Sequence, residues 1–319
     1  MNTAAVATGV RHFVSLADLT PAELAALLDD TVRLKAARYA NESSGATLLA
    51  GLTLAMIFEK PSLRTRLSFE VGMLQLGGRA VYLSPSEVGL GRRESVADVA
   101  RVVSRMADLV VLRVHAHETI EEFVRHASVP VINGLSDLSH PCQGLTDIFT
   151  IREKKGDLRK VTAAFIGDGN NVAHSLMLAA GLTGLRLRIA TPSGYEPHAR
   201  YVDLARSIGR GTGAVIEIGN DPVAAVRNAD VVYTDVWTSM GQEQEYERRR
   251  RAFAGFQVNV DLLAHAKPDA IVLHDLPAHR GEEITDDVLD GPRSVVFDQA
   301  ENRLHAQKAL LALLVRSRA

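Results

Sequence analysis

A single cysteine, Cys142, stands in a chain of 319 residues, which excludes an internal disulfide framework and a cysteine-built zinc site. No apolar run approaches the ~20 residues that a bilayer span requires, so no membrane role is expected. The opening stretch, Met1 to Val10, lacks both a basic segment and an apolar one, so a secretory signal is not expected either. Cationic excess is missing as well: 36 lysines and arginines against 38 aspartates and glutamates give a net charge of −2. A nucleic-acid binder needs a basic surplus to displace counterions, so nucleic acid is not the expected partner. The remainder is ordinary: 46% hydrophobic and 23% charged residues fit a globular protein, expected in the cytoplasm. The length suits two domains.

Short apolar, β-branched runs alternate with helical patterns along nearly the whole chain. The strand candidates are Leu52–Phe58, Ala80–Leu83, Leu109–Val114, Val129–Ile132, Val161–Ile166, Leu185–Ala190, Val215–Ile218, Asp230–Thr234 and Ala270–His274. They are too continuously apolar for half-exposed strands, and this suits parallel sheets covered on both faces. The class expected is α/β, with doubly wound parallel sheets. Thr20, Pro21 and Glu23 give the N-cap, N1 and N3 of a capping box before Leu24, Leu27 and Leu28. The charged stretch Arg152–Asp157 places the domain join at about residue 150. A terminal helix from about Ala300 to Arg316, with a stripe of Leu304, Leu310, Leu311, Leu313 and Leu314, could return to either domain.

The most informative segment is Phe58-Glu59-Lys60-Pro61-Ser62-Leu63-Arg64-Thr65-Arg66. Pro61 ends a strand, Ser62 is a natural N-cap, and the helix that follows reads as having an apolar face of Leu63, Leu67, Val71 and Leu74. Arg64 and Arg66 then fall in a first turn that already carries partial positive charge, an arrangement that an anion relieves. The plain alternative is that both arginines are solvated. A second cluster, Asp137-Leu138-Ser139-His140-Pro141-Cys142-Gln143, follows another strand at the edge where open α/β sheets bind ligands. Arg113 ends a further apolar strand, where a charge needs an anion or a carboxylate. His115 and His117 share a strand face but have no third ligand in reach, so no metal is expected.

In the second half, Gly167-Asp168-Gly169-Asn170-Asn171 follows a strand in the manner of a dinucleotide loop. The third glycine is missing, and the next strand ends Ile189-Ala190-Thr191 without the acid that would hold a ribose, so NAD is rejected. Asp235-Val236-Trp237-Thr238-Ser239-Met240-Gly241 and His274-Asp275-Leu276-Pro277 place carboxylates and exposed backbone at two further strand ends, where a cationic, amino-acid-like substrate could lie. The run Arg248 to Arg251 reads as a solvated helix face.

From about Phe13 to Leu314, these motifs together resemble the carbamoyltransferase superfamily, and most closely its ornithine-using branch. Leu276-Pro277-Ala278-His279-Arg280-Gly281 and Ala300-Glu301-Asn302-Arg303 complete the set. The resemblance implies a carbamoyl-phosphate domain (1–150), an ornithine domain (151–298) and a C-terminal helix (299–319) that packs back on the first. By position, Ser62, Leu63, Arg64, Thr65, Arg113, His140, Gln143, Asp275, Leu276 and Arg303 become carbamoyl-phosphate ligands, and Asn171, Asp235, Ser239 and Met240 ornithine ligands on a closing loop. Arg113, His140 and Asp275 become catalytic. No metal or cofactor is implied, and the expected assembly is a homotrimer or a multiple of trimers. Three positions depart from the pattern. Leu63 replaces a common threonine, Gly89 replaces a side chain offered to the neighbouring subunit's phosphate, and Asp275 replaces a cysteine beside the substrate amine. A transferase acting on putrescine or N-acetylornithine, and a non-catalytic ligand binder, remain as alternatives.

Overall fold

The computed structural model describes residues 10–40, 45, 47–239 and 242–316. The chain divides into two compact units: Met1–Cys142 with Arg303–Ala319, and Gln143–Asn302. The first contains a parallel sheet of β1 (Thr53–Phe58), β2 (Arg79–Leu83), β3 (Leu109–Arg113) and β4 (Val131–Leu135) in the order β2-β1-β3-β4. The second contains β5 (Thr162–Ile166), β6 (Arg186–Ala190), β7 (Val215–Gly219), β8 (Val231–Thr234) and β9 (Ile271–His274) in the order β7-β6-β5-β8-β9. Both sheets are parallel throughout. Their strand orders reverse between β1 and β3 and between β5 and β8, and such switch points open crevices beyond the strands' carboxyl ends. Each crevice therefore falls where the sequence concentrates its polar motifs.

Every strand read from the sequence is present. The fourth begins at Val131 rather than Val129, because Pro130 has no N–H to donate to a ladder. β4 also carries a bulge: Leu112 pairs with Asn133 but Arg113 with Leu135. Gly134 is the extra residue, and a Cβ there would lie 2.9 Å from Val111 Cγ1. A bulge bends its strand and re-aims neighbouring side chains, and here it adjoins Arg113, the last residue of β3.

The first helix, Pro21–Tyr39, starts on the expected capping box, with Thr20 Oγ1 accepting from Glu23 N at 3.2 Å and Thr20 N donating to Glu23 Oε2 at 2.8 Å. Helix Leu63–Gln75 corrects the sequence reading. Its buried side is Thr65, Ser68, Phe69, Gly72 and Met73, while Leu63, Leu67 and Leu74 are 74%, 54% and 73% exposed. The terminal helix, Val296–Arg316, is responsible. Its Lys308 Cγ lies 3.4 Å from where a Cβ on Gly72 would be, so it packs along the small-residue side and leaves the leucine stripe outward. Lys308 Nζ also donates to Leu34 O at 3.3 Å and Gln75 Oε1 at 3.0 Å, which fixes the helix from Arg303 onward to the first unit. The units divide between Cys142 and Gln143 and between Asn302 and Arg303, inside continuous helices. The charged stretch near 152–157 ends helix Pro141–Lys155.

In the β5 loop, Gly169 is required by a close approach: a Cβ would lie 2.2 Å from Pro197 N and 2.4 Å from the Glu196 carbonyl carbon. The loop thus packs its open face on the chain's own backbone. Gly169→Ala should lower stability by about 1–3 kcal/mol through overpacking. Thermal denaturation checks this, and an unchanged midpoint would contradict the packing described.

Candidate active site

The first crevice is built from the ends of β1, β3 and β4. Glu59 N donates to Arg113 O at 2.8 Å, and Glu59 Oε2 accepts from His115 N at 2.7 Å, so the two strand exits are tied together. Ser62 caps helix Leu63–Gln75 by accepting from Thr65 N at 3.2 Å, which aims the first-turn N–H groups at the crevice. Thr65 Oγ1 accepts from Arg303 Nη2 at 2.7 Å, joining the two helices by their buried polar ends. Arg113, His140 and Arg303 are all buried. Burial, then the charges of Arg303, Arg113 and Arg64, push the His140 ring well below its ordinary range. These groups form a buried, strongly cationic pocket at a helix N-terminus, which is a site for a phosphate-bearing ligand.

Of the two first-turn arginines, Arg64 belongs to this pocket. Arg66 pairs with Glu70 at 2.9 Å and lies 4.0 Å over the Tyr82 ring on the exposed side. Leu63 contributes backbone only, its side chain being exposed. Gly89 has φ 58° and ends the turn Pro85–Val88. A Cβ there would lie 2.7 Å from Arg93 Cβ, so this turn as built is a glycine turn, not a platform for a long side chain.

The second crevice is acidic. Asp235 follows β8, is buried, and accepts from Asn170 Nδ2 at 2.7 Å and Val236 N at 2.7 Å. Burial and the neighbouring Asp275 raise its carboxyl well above the carboxylate range, against the pulls of His274 and of the Asn170 hydrogen bond. Asn170, not Asn171, is the N-cap of helix Asn171–Thr183, so Asn171 stands at the helix's first position, half-buried. Asp275 follows β9, and Leu276 adopts φ 56°, outside the usual range for a side-chain-bearing residue. Ser239 N donates to Gln242 Oε1 at 3.1 Å. Met240 and Gly241 lie outside the described residues.

Gln143 belongs to the second unit, and Asp147 positions it: Asp147 Oδ1 accepts from Gln143 Nε2 at 2.8 Å and Gln299 Nε2 at 2.7 Å. Tyr233 donates to Asp147 Oδ2 at 3.1 Å, and Gln299 Oε1 accepts from His274 N at 2.9 Å. Nothing local in the sequence marks Asp147, Gln299 or Tyr233. Arg249 departs from the solvated face expected of Arg248 to Arg251: it is buried and donates to Asp168 Oδ2 at 2.8 Å and to Trp237 O at 3.0 Å, whereas its neighbours Arg248 and Arg250 are exposed. Burial pushes Asp168 up to about 6 despite Arg249, and Arg249 is held above its ordinary value by Asp168 and Glu245 against desolvation. The pair is therefore ionised at neutral pH, and it pins the loop through Trp237.

His117 is held by Ser136 at 2.7 Å rather than joined to His115. Among the described residues, Asp235, His274 and Asp275 gather within 4.8 Å, but the His274 ring is fully engaged. Its Nδ1 accepts from Leu276 N at 2.9 Å and its Nε2 faces Glu283 Oε1 at 3.0 Å.

A protein with two doubly wound units, one ending in a buried cluster of guanidinium groups and the other in a buried pair of acids, is built to hold an anion and an amine. The family model described as "Aspartate/ornithine carbamoyltransferase, carbamoyl-P binding domain" matches residues 11–153, and that for the "Asp/Orn binding domain" matches 159–314. The chain belongs to the aspartate/ornithine carbamoyltransferase family. It is 54% identical over 305 residues to the ornithine carbamoyltransferase of Pyrococcus abyssi, with 96% of each chain covered. It is 55% identical over 306 residues to that of Acidothermus cellulolyticus, covering 96% of this chain and 97% of the other. The solved ornithine carbamoyltransferase of Pyrococcus furiosus superposes with a TM-score of 0.92 at 53% identity, covering 95% of this chain and 96% of that one.

The charge crowding has a direct signature. As pH falls through 6.5, the ordinary histidine value, the His140 ring should stay neutral in the ligand-free protein. Histidine ring NMR shifts followed through a pH titration check this. A His140 signal that titrates near the ordinary value would contradict a pocket holding three guanidinium groups.

Proposed function

We propose that this chain transfers the carbamoyl group of carbamoyl phosphate to the δ-amine of L-ornithine, giving L-citrulline and phosphate, as a cytoplasmic enzyme of arginine metabolism. The observation that carries this reading is the division of charge. Three arginines and a neutral histidine crowd the crevice of the first unit, and two adjoining carboxyl groups occupy the crevice of the second. A phosphate ester fits the one and an ammonium-bearing amino acid the other. The relatives of closely similar length are named for this reaction.

In this reading, Ser62, the backbone N–H groups at Leu63, Arg64, Thr65 and Arg303 hold the phosphate as its charge grows, while Arg113 and His140 polarise the carbamoyl oxygen. Gln143 and the backbone at Leu276 complete the carbamoyl contacts. Asp235, Asn171, Ser239 and Met240 hold ornithine. A neutral His140 donates an N–H without adding a fourth positive charge. The nucleophile must be the neutral amine, which for a lysine-like group near ~10.4 is about one molecule in 2,500 at pH 7. Asp275, in this reading, takes the proton as the C–N bond forms. The Leu63, Leu67 and Leu74 side chains form an exposed apolar stripe, which supports the homotrimer reading, in which a second copy of the chain would cover it.

Phosphate release from carbamoyl phosphate, assayed against ornithine, putrescine and N-acetylornithine, tests the substrate. Turnover confined to ornithine is expected; a preference for either other amine, or none at all, would replace the reading. Arg64→Ala should remove about 2–4 kcal/mol of transition-state stabilisation while the protein stays folded. A loss in kcat/KM for carbamoyl phosphate below about threefold, under 1 kcal/mol, would contradict the phosphate assignment. Asp275→Asn keeps shape but removes the base, so kcat should drop by about 100-fold. Turnover equal to the parent from neutral to alkaline pH would reduce Asp275 to a positioning group.

A further inference from the structure

The side-chain amide of Gln143 is oriented by groups whose polarity is fixed. The series of contacts begins at a backbone N–H, which can only donate: His274 N donates to Gln299 Oε1 at 2.9 Å. The other end of the Gln299 amide is therefore Nε2, and it donates to Asp147 Oδ1 at 2.7 Å. Asp147 Oδ1 accepts a second time, from Gln143 Nε2 at 2.8 Å, one helical turn away. Tyr233 donates to Asp147 Oδ2 at 3.1 Å. Burial, then the charge of Asp147, hold the Tyr233 hydroxyl well above its ordinary range, so it stays a donor. All four side chains are buried, and three donors on one carboxyl group select its ionised form, which accepts only. Asp147 thus takes the nitrogen end of Gln143 and turns the oxygen end, Oε1, away from itself. Leu276 is constrained in the same sense. Its N–H is engaged by His274 Nδ1 at 2.9 Å, which makes the carbonyl the group its backbone can offer a ligand. Gln143 and Leu276 are both acceptors.

We infer that Asp147, held by Gln299, is a specificity-determining positioning residue: it fixes Gln143 as an acceptor, so that the site takes an acyl phosphate bearing N–H donors on its carbonyl carbon and rejects one bearing a methyl group there. This rests on the reading of Gln143 and Leu276 as carbamoyl contacts. Carbamoyl phosphate has two N–H donors on its nitrogen, one for each acceptor. Acetyl phosphate has a similar shape and the same charge, but its methyl group donates nothing. The arginine cluster cannot separate the two, because both bring it the same phosphate and the same carbonyl oxygen. Discrimination has to come from the nitrogen side, where the methyl ligand leaves two acceptors desolvated and unpaired. Gln143 alone would not supply it. An amide free to turn presents its NH2 as readily as its oxygen, and the distinction is lost. Asp147 touches neither the ligand nor the reacting atoms in this account; it acts through Gln143.

The test uses two stable phosphonates, phosphonoacetamide and acetonylphosphonate. Each carries a methylene in place of the bridging oxygen, and they differ only in NH2 against CH3. In calorimetric titrations the parent enzyme should prefer the amide by about 100-fold, the penalty expected when two buried acceptors go unpaired. Asp147→Asn can offer Gln143 either polarity. It should bring the preference below about tenfold, with the loss falling on the amide and the acetonylphosphonate affinity changed by less than about threefold. Gln299→Met removes one of the donors that hold Asp147, and it should lower the preference in the same direction by a smaller factor. This second variant also stands in if Asp147→Asn fails to fold. A parent that binds both phosphonates equally, an unchanged preference in either folded variant, or equal weakening of both ligands overturns the inference. A parent that prefers the amide but forms no citrulline overturns ornithine transfer and leaves the role of Asp147 in place. A parent that binds neither phosphonate overturns the carbamoyl-phosphate site, and this inference with it.

Discussion

The structure turns on like charges forced together away from water. Arg64, Arg113 and Arg303 converge on a buried histidine, and each is delivered by a different element: a helix start, a strand end shaped by a bulge, and a helix that returns from the far end of the chain. Fixed dipoles and charges of this kind stabilise negative charge without reorganising when it develops. The same crowding favours an anion, whose charge offsets the repulsion between guanidinium groups. A folded chain can sustain it because the surrounding parallel sheet and the terminal helix are held by apolar packing and by contacts such as Arg303 to Thr65.

The second unit inverts the sign. Buried acids dominate there, and the network running from Gln143 through Asp147 and Gln299 to the backbone of His274 is fully directional. Every donor in it faces an acceptor, so side chains drawn from three separate segments move as one unit or not at all. Such networks specify a single arrangement at the price of tolerating few substitutions. They also place Gln143 and the β9 exit under common control, although more than a hundred residues of sequence separate them.

How far this was legible in the sequence depends on range. The Thr20 capping box, the Ser62 cap and the strand ends depend on residues within a few positions, and each formed as local chemistry dictates. β4 moved by two residues at its start for a local reason too, the missing N–H of Pro130. What could not be read was whatever depends on a distant partner. The exposed leucine stripe of helix Leu63–Gln75 looked like its core face because nothing nearby says that the terminal helix lies along Ser68 and Gly72. Arg249 looked solvated because Asp168, its partner, lies far away in the chain. The paired acids at Asp235 and Asp275 were visible as two motifs, but their meeting is set by the adjacency of β8 and β9.

Cys142 carries a last consequence. It is buried, its Sγ faces Asn133 O at 3.4 Å, and burial raises the thiol to about 12. With aspartate at position 275 and no other cysteine in the chain, the protein presents no reactive thiol at either crevice. Thiolate is the form that alkylating agents, peroxides and soft metal ions attack. Cysteine oxidation is therefore no route by which the surroundings reach the chemistry of this site, and oxidative stress would have to act through some other residue.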